Sequence, residues 1–192
     1  MSTPQVIAIT GGIGSGKSVV SRVLRSMGWP VYDCDSRARR LQDSDLGMRR
    51  LIADEVTPDA LNPDGSLNRQ ALGRCVFANH DKLQLLNHIV HGAVASDLRD
   101  EISRCRLPLF FVETAILYES GFDKMVDAIW EVTAPEQLRI TRVMARNAMS
   151  ESEVRARIAS QNSLNNPSHY IIINDGETPV LPQIIDELTR RI

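Results

Sequence analysis

Lysine is scarce in this chain of 192 residues. Only Lys17, Lys82 and Lys124 occur, and all other fixed positive charge is arginine. The formal net charge is −2 and the pI is near 6.1. That balance excludes the broad basic surface of a nonspecific nucleic-acid binder. Cysteine is scarce too. Cys34, Cys75 and Cys105 are odd in number, widely spaced and form no C-x-x-C, so they read as reduced thiols and not as a disulfide framework. No apolar run is long enough to span a bilayer: "LPLFFVETAILY" is interrupted by Glu113. The opening "MSTPQ" has neither a basic n-region nor an apolar h-region. No signal peptide is therefore expected, and a soluble cytoplasmic protein is. Internal repeats, low-complexity segments, H-E-x-x-H and a Ser-His-Asp order are all missing. What remains is ordinary globular composition, 43% apolar and 24% charged, in a length suited to one domain or one domain with an insertion.

Glycine, by contrast, is concentrated in one place. "ITGGIGSGKSVV", from Ile9, holds four glycines and one of the three lysines. Glycine loses more backbone freedom on folding than any other residue, so the chain there must curl tightly or approach another molecule closely. Gly11 to Ser18 fit G-x-x-x-x-G-K-[ST]. The apolar "QVIAIT" before it reads as a buried strand, and Val20, Val23, Leu24 and Met27 after it fall at helical spacing, with Gly28 as a C-terminal cap. In such a loop successive N–H groups turn inward on a phosphate, and the following helix adds the positive end of its dipole. Lys17 places a charge on the outer phosphates, and Ser18 offers a hydroxyl to Mg²⁺.

"WPVYD" is predicted as a second strand. From about Ser36 to Arg106 helices are expected ("SRARRLQ", "NRQALGRCVF", "DKLQLLNHIVHGAVASDLRDEI") around the turn-rich "TPDALNPDGS". "LPLFFVE", "DAIWEV" and "YIIIN" complete the strands. Thr133 with Glu136, and Ser150 with Glu153, stand at capping-box spacing before two further helices, and a last helix follows in "TPVLPQIIDELTRRI". Alternating strands and helices predict a parallel sheet covered by helices on both faces.

Ligands of such a sheet sit at the carboxyl ends of the strands, which is where Asp33, Asp35 and Glu113 fall. Either aspartate has the chemistry to deprotonate an acceptor hydroxyl, and either could instead cap the helix that follows; Asp35 before "SRAR" is one such cap. Glu113 is the natural second acid near a metal or its waters. Arg139, Arg142 and Arg146, at i, i+3 and i+7, can share a helix face and close as a lid over phosphates, or form a solvated charged surface. His88 and His91 have no metal-ligand company. No N-K-x-D and no D-x-x-G occurs, which disfavours a guanine-nucleotide switch module. Another small-metabolite or nucleoside monophosphate kinase would use the same loop and lid.

Several stretches together resemble the dephospho-coenzyme A kinase family. These are "ITGGIGSGKS", the D-x-D of Asp33 and Asp35 with Arg39 beyond, and the turn and helix at Asp64, Gly65, Leu67, Arg69 and Leu72. "LNHIVH" ending at His91, "VETAILYESG", the arginines Arg142 and Arg146 with Gln161 beyond, and "IIINDG" follow in the family's order. The chain departs from that pattern at Gly92 and Ala115, where Pro is usual, at His169 for Asp and at Arg139 for Gln. The resemblance implies a P-loop NTPase α/β/α fold with a five-stranded parallel sheet. The core would comprise 1–35, 107–134 and 168–192, with a helical coenzyme-binding insertion at about 36–106 and a lid at about 135–167. It implies transfer of the ATP γ-phosphate to the ribose 3′-hydroxyl of dephospho-CoA. Gly12, Ile13, Gly14, Ser15, Gly16, Lys17, Ser18, Arg142 and Arg146 would hold ATP, and Thr10, Asp33, Asp35, Arg39, His91 and Glu113 the acceptor. Asp35 would be the base, Lys17 the phosphate clamp and Arg146 the lid charge. Mg²⁺ would meet Ser18, with Glu113 or Asp35 acting through water. Neither nucleic acid nor membrane is an expected partner, and the chain is expected to be a monomer or a weak homo-oligomer.

Overall fold

The apolar run at the start of the chain forms β1 (Gln5–Thr10), buried from Val6 onward. β1 pairs in parallel with β3 (Leu109–Glu113) and with β4 (Ala128–Thr133), and β4 pairs in parallel with β5 (Tyr170–Ile173). With β2 (Val31–Asp33) outside β3, the sheet order is β2-β3-β1-β4-β5. Residues 3–161 and 170–192 are described in this computed structural model. The α/β class and the parallel five-stranded sheet are those the sequence predicts. Ile9 lies opposite Glu113 and Trp130, and Thr10 opposite Glu131. Three strand ends therefore stand side by side at one edge, where an open parallel sheet binds ligands.

The chain divides into two units, Met1–Tyr32 with Cys105–Ile192, and Asp33–Arg104. In the first unit Ile7, Ile9, Phe111, Trp130 and Ile172 pack against Val20 and Leu24 of α1 (Lys17–Ser26) and against Ile184 and Leu188 of α8 (Val180–Thr189). An aromatic row runs through this face. Trp29 and Phe111 centroids are 6.3 Å apart, Phe111 and Trp130 5.3 Å, Trp130 and Tyr170 6.0 Å, each pair worth about 1 kcal/mol beyond its area. Gly28, at φ 89, ends α1 as expected. Its N–H donates to the Arg25 carbonyl and that of Trp29 to the Leu24 carbonyl, both at 3.0 Å. These two bonds satisfy carbonyls that the helix leaves open.

The second unit is helical: α2 (Cys34–Ser44), α3 (Leu46–Glu55), α4 (Arg69–Ala78) and α5 (His80–Arg104). Met48, Ile52, Leu72, Val76 and Ile89 form its own core. The sequence reading did not place α3. Its signal is Asp45, whose carboxylate accepts the Met48 N–H at 3.0 Å, ahead of Met48 and Ile52 at i, i+4. The "NPDGS" turn closes on Gly65 at φ 78. Asp64 accepts from both the N–H and the hydroxyl of Ser66, which holds its carboxyl below the ordinary range. α5 runs unbroken through Gly92.

One cap expectation fails. α6 (Glu136–Asn147) begins after Pro135, which has no side chain to accept a bond, so no capping box forms at Thr133 and Glu136. Strand pairing claims Thr133 instead: it ends β4 opposite Ile173, and its carbonyl accepts the Asn174 N–H at 2.9 Å. α7 (Glu151–Ser160) carries the complete capping box predicted for Ser150 and Glu153. The end of the expected lid and His169 lie outside the described residues.

Candidate active site

The loop Gly11–Ser18 leaves β1 and enters α1. Gly14 and Gly16 hold φ of 76 and 100, a region where an L side chain is strained. Space forbids a side chain as well. A Cβ at Gly14 would meet the Arg139 backbone at 2.6 Å, and one at Gly16 would collide with the Asn174 amide. Gly16 is the N-cap of α1. It offers no capping side chain, and the first turn carries no acid, so the positive end of the helix stands open to an anion. Lys17 folds its ammonium back over the loop, donating to the carbonyls of Gly11 at 2.7 Å and Gly12 at 3.3 Å. Ser18 is exposed in the first turn, and Ser15 is buried, its hydroxyl without a partner among the described residues.

The hairpin of α6 and α7 rests on this loop. The Ile13 side chain packs with Ile140, Val143 and Val154. Its N–H donates to Gln161 Oε1 at 2.8 Å, and its carbonyl accepts from Arg139 Nε at 2.9 Å. Arg142 donates to the Asn174 carbonyl at 3.1 Å and reaches the Gly14 and Ser15 carbonyls at 3.5 Å. Asn174 in turn donates its amide to the Ser15 carbonyl at 2.9 Å.

The three lid arginines therefore have different surroundings. Arg146 lies on the stripe of Arg139 but seven residues on, about 10 Å along the axis. It is exposed and donates to the Asn147 side chain at 2.8 Å. Arg155 belongs to a solvated face, paired with Glu136 and Glu151, each at 2.8 Å.

Thr10 is buried at the end of β1, and Glu113 is half-buried at the end of β3. Beside them a cavity of about 350 Å³ is lined by Thr10, Gly11, Ala115, Glu131, Arg139 and Gln161, among others. Tyr118 has its phenol pushed up by burial and by the carboxylates of Asp123 and Glu131.

The remaining expected residues belong to the second unit. Asp33, not Asp35, is the N-cap of α2. It accepts from the Ser36 N–H at 3.1 Å and hydroxyl at 2.8 Å, which corrects the cap suggested for Asp35. Asp35 is left exposed in the first turn, with Arg39 exposed one turn on and His91 half-buried on α5. Gln161 and Asn174 entered the sequence reading only through the family pattern, whereas the helical spacing had already offered Arg139 as a lid arginine before the family pattern marked it as a departure. For Asn174 the available signal was its place directly after a strand, at the ligand edge. Among the described residues no group of three or more His, Cys, Asp or Glu is placed to hold a metal. No helix among them is long and apolar enough to cross a membrane.

A strand, a glycine loop opening a helix and an arginine-bearing hairpin resting on that loop define a P-loop kinase. The fold recurs at low identity in shikimate kinase from Acinetobacter baumannii, with TM-score 0.54, 14% identity and coverage of 98% of this chain and 92% of that one. The chain belongs to the dephospho-CoA kinase family, whose model matches residues 5–179. It is similar to the dephospho-CoA kinase of Porphyromonas gingivalis, 38% identical over 183 residues, which cover 93% of this chain and 90% of the relative. That of Bacteroides fragilis is 40% identical over 185 residues, covering 94% and 89%. A crystal structure from Thermus thermophilus superposes with a TM-score of 0.78 at 35% identity, covering 98% of this chain and 96% of that one.

Proposed function

We infer that this chain is a dephospho-CoA kinase, converting ATP and dephospho-CoA to ADP and coenzyme A. The observation that carries this reading is the family match across residues 5–179, joined to a loop shaped for polyphosphate. The N–H groups of the loop, the open end of α1, Lys17 and Arg142 bind the phosphates of ATP and offset the charge that develops on them. Arg146 supplies the outer charge of the lid. Thr10, Asp33, Arg39, His91 and Glu113 hold the acceptor. Asp35 takes the proton of the 3′-hydroxyl as its oxygen bonds to the γ-phosphorus. The bond from that phosphorus to the β,γ-bridging oxygen breaks, and the electron pair leaves on ADP. Mg²⁺ neutralises phosphate charge when bound. Ser18 would hold it, because this ion takes one or two protein oxygens and fills its shell with phosphate and water, with Glu113 or Asp35 reaching it through water.

The test is ADP release with ATP and Mg²⁺, run with dephospho-CoA, with AMP and with no acceptor, the product being weighed by mass spectrometry. Turnover dependent on dephospho-CoA with coenzyme A as product is expected. Turnover with AMP alone sinks the acceptor assignment. In the same assay Asp35→Asn should keep ATP affinity and lower kcat by about 100-fold or more; unchanged kcat removes Asp35 as the base.

A further inference from the structure

Arg139 meets the loop with both its backbone and its charge. A Cβ at Gly12 would strike its guanidinium, and one at Gly14 its backbone. Burial pulls its pKa below the usual arginine value, so the charge is held at a desolvation cost. Yet among the described residues no carboxylate lies within ion-pair distance of it. Glu136, the nearest acid along α6, is paired with Arg155. The partners of Arg139 are neutral oxygens: the Ile13 carbonyl at 2.9 Å and Gln161 Oε1 at 3.5 Å. Glu119 and Glu131 line the cavity beside it, but neither pairs with it, and a half-buried guanidinium whose own hydrogen-bond partners are neutral oxygens is suited to an anion.

The position of Lys17 bears on which part of a nucleotide that anion is. A P-loop lysine serves the outer phosphates. The Lys17 ammonium lies at the carbonyls of Gly11 and Gly12, so the outer-phosphate end of the loop is its beginning. That is where Arg139 sits, over Gly12 and Ile13. The Ile13 N–H, an anion donor in such a loop, is meanwhile held by Gln161 Oε1.

We propose that Arg139 contacts the γ-phosphoryl group, with Gln161 as a placeholder that yields the Ile13 N–H when the triphosphate enters. Arg139 then reads ATP against ADP, and Gln161, at the end of α7, passes that reading to the hairpin. The proposal rests on the kinase reading but not on the identity of the acceptor.

Binding of ADP and of the non-hydrolysable analogue AMP-PNP is compared by calorimetry for the wild type, Arg139→Ala and Arg139→Gln. Arg139→Ala should weaken AMP-PNP about tenfold or more while ADP stays within about twofold, and kcat should fall with the AMP-PNP affinity. Arg139→Gln, which keeps a donor for the Ile13 carbonyl, should lie between. Equal losses for the two nucleotides make Arg139 a structural latch and overturn the proposal, as does no loss for either. If Arg139→Ala fails to fold, the ratio measured on Arg139→Gln decides in the same way. A wild type that binds nucleotide yet ignores dephospho-CoA refutes the acceptor assignment and leaves this comparison intact.

Discussion

The phosphate loop and helix α6 touch at Ile13, yet the proposed nucleotide site draws on different parts of the chain in each. In that proposal the loop contributes backbone: its glycines leave no room for side chains, and its N–H groups and the end of α1 are the donors. The helix works through side chains carried on a backbone of ordinary geometry. A backbone site tolerates almost no substitution, because the fold fills every place where a Cβ would stand. A side-chain site tolerates many sequences, because only the reach of each arginine decides whether it arrives.

The sharpest test of that contrast lies in the loop. Gly16→Ala forces a side chain into a left-handed position and into Asn174. It should cost about 2 kcal/mol of stability and abolish nucleotide binding; calorimetry showing wild-type ATP affinity would mean that the loop is not a backbone site. Lys17→Ala removes the one charged side chain of the loop, and kcat should fall by about 1000-fold in a protein that still folds, though it loses the bonds of the ammonium to the Gly11 and Gly12 carbonyls.

On the helix the arginines should rank by reach. Arg142→Ala, which loses contacts to Asn174 and the loop, should lower kcat/KM by about 100-fold. Arg146→Ala should lower it by about tenfold or less, since its charge stays in solvent. A reversed order in steady-state kinetics would mean that the Arg142 contacts only brace the loop.

The smallest effects belong at the far end of the hairpin. Ser150→Ala breaks the α7 capping box and should lower the melting temperature by a few degrees. The bonds from the Ser150 hydroxyl and N–H lower the Glu153 pKa in the folded state. That contribution is present above the ordinary carboxylate range and is lost as pH falls through the lowered value. The difference between wild type and variant should therefore shrink in acid, and an NMR titration should find Glu153 closer to its ordinary pKa in the variant. Ala148, at φ 52 between α6 and α7, takes a glycine conformation without being glycine. Ala148→Gly should raise stability by about 0.5 kcal/mol in thermal unfolding, without the steric penalty that the opposite exchange incurs at Gly16.

Much of this was legible beforehand where function depends on local chain chemistry. A run of β-branched residues before a glycine loop has few alternatives to a buried strand. Ser150 and Glu153 make their box because both partners lie within one turn of each other. Thr133 and Glu136 have the same spacing and make none, because β5, some forty residues away in the chain, claims Thr133 first. Asp33 outcompetes Asp35 for the α2 cap because the strand ends one residue before the helix begins. α3 stayed hidden because only Met48 and Ile52 of its face are buried, too short a pattern to stand out.

The amino-acid sequence by itself determined the nucleotide loop, the parallel α/β class and the family, because each depends on residue types at fixed short spacings that only a few backbone shapes satisfy. Tertiary structure alone decided that Arg139 and Arg142 reach the loop while Arg146 stays outside it, and that Gln161 and Asn174 hold the loop from distant parts of the chain. Spacing along a helix fixes the face on which a charge lies. Only packing against another element fixes how far along that face the other element extends.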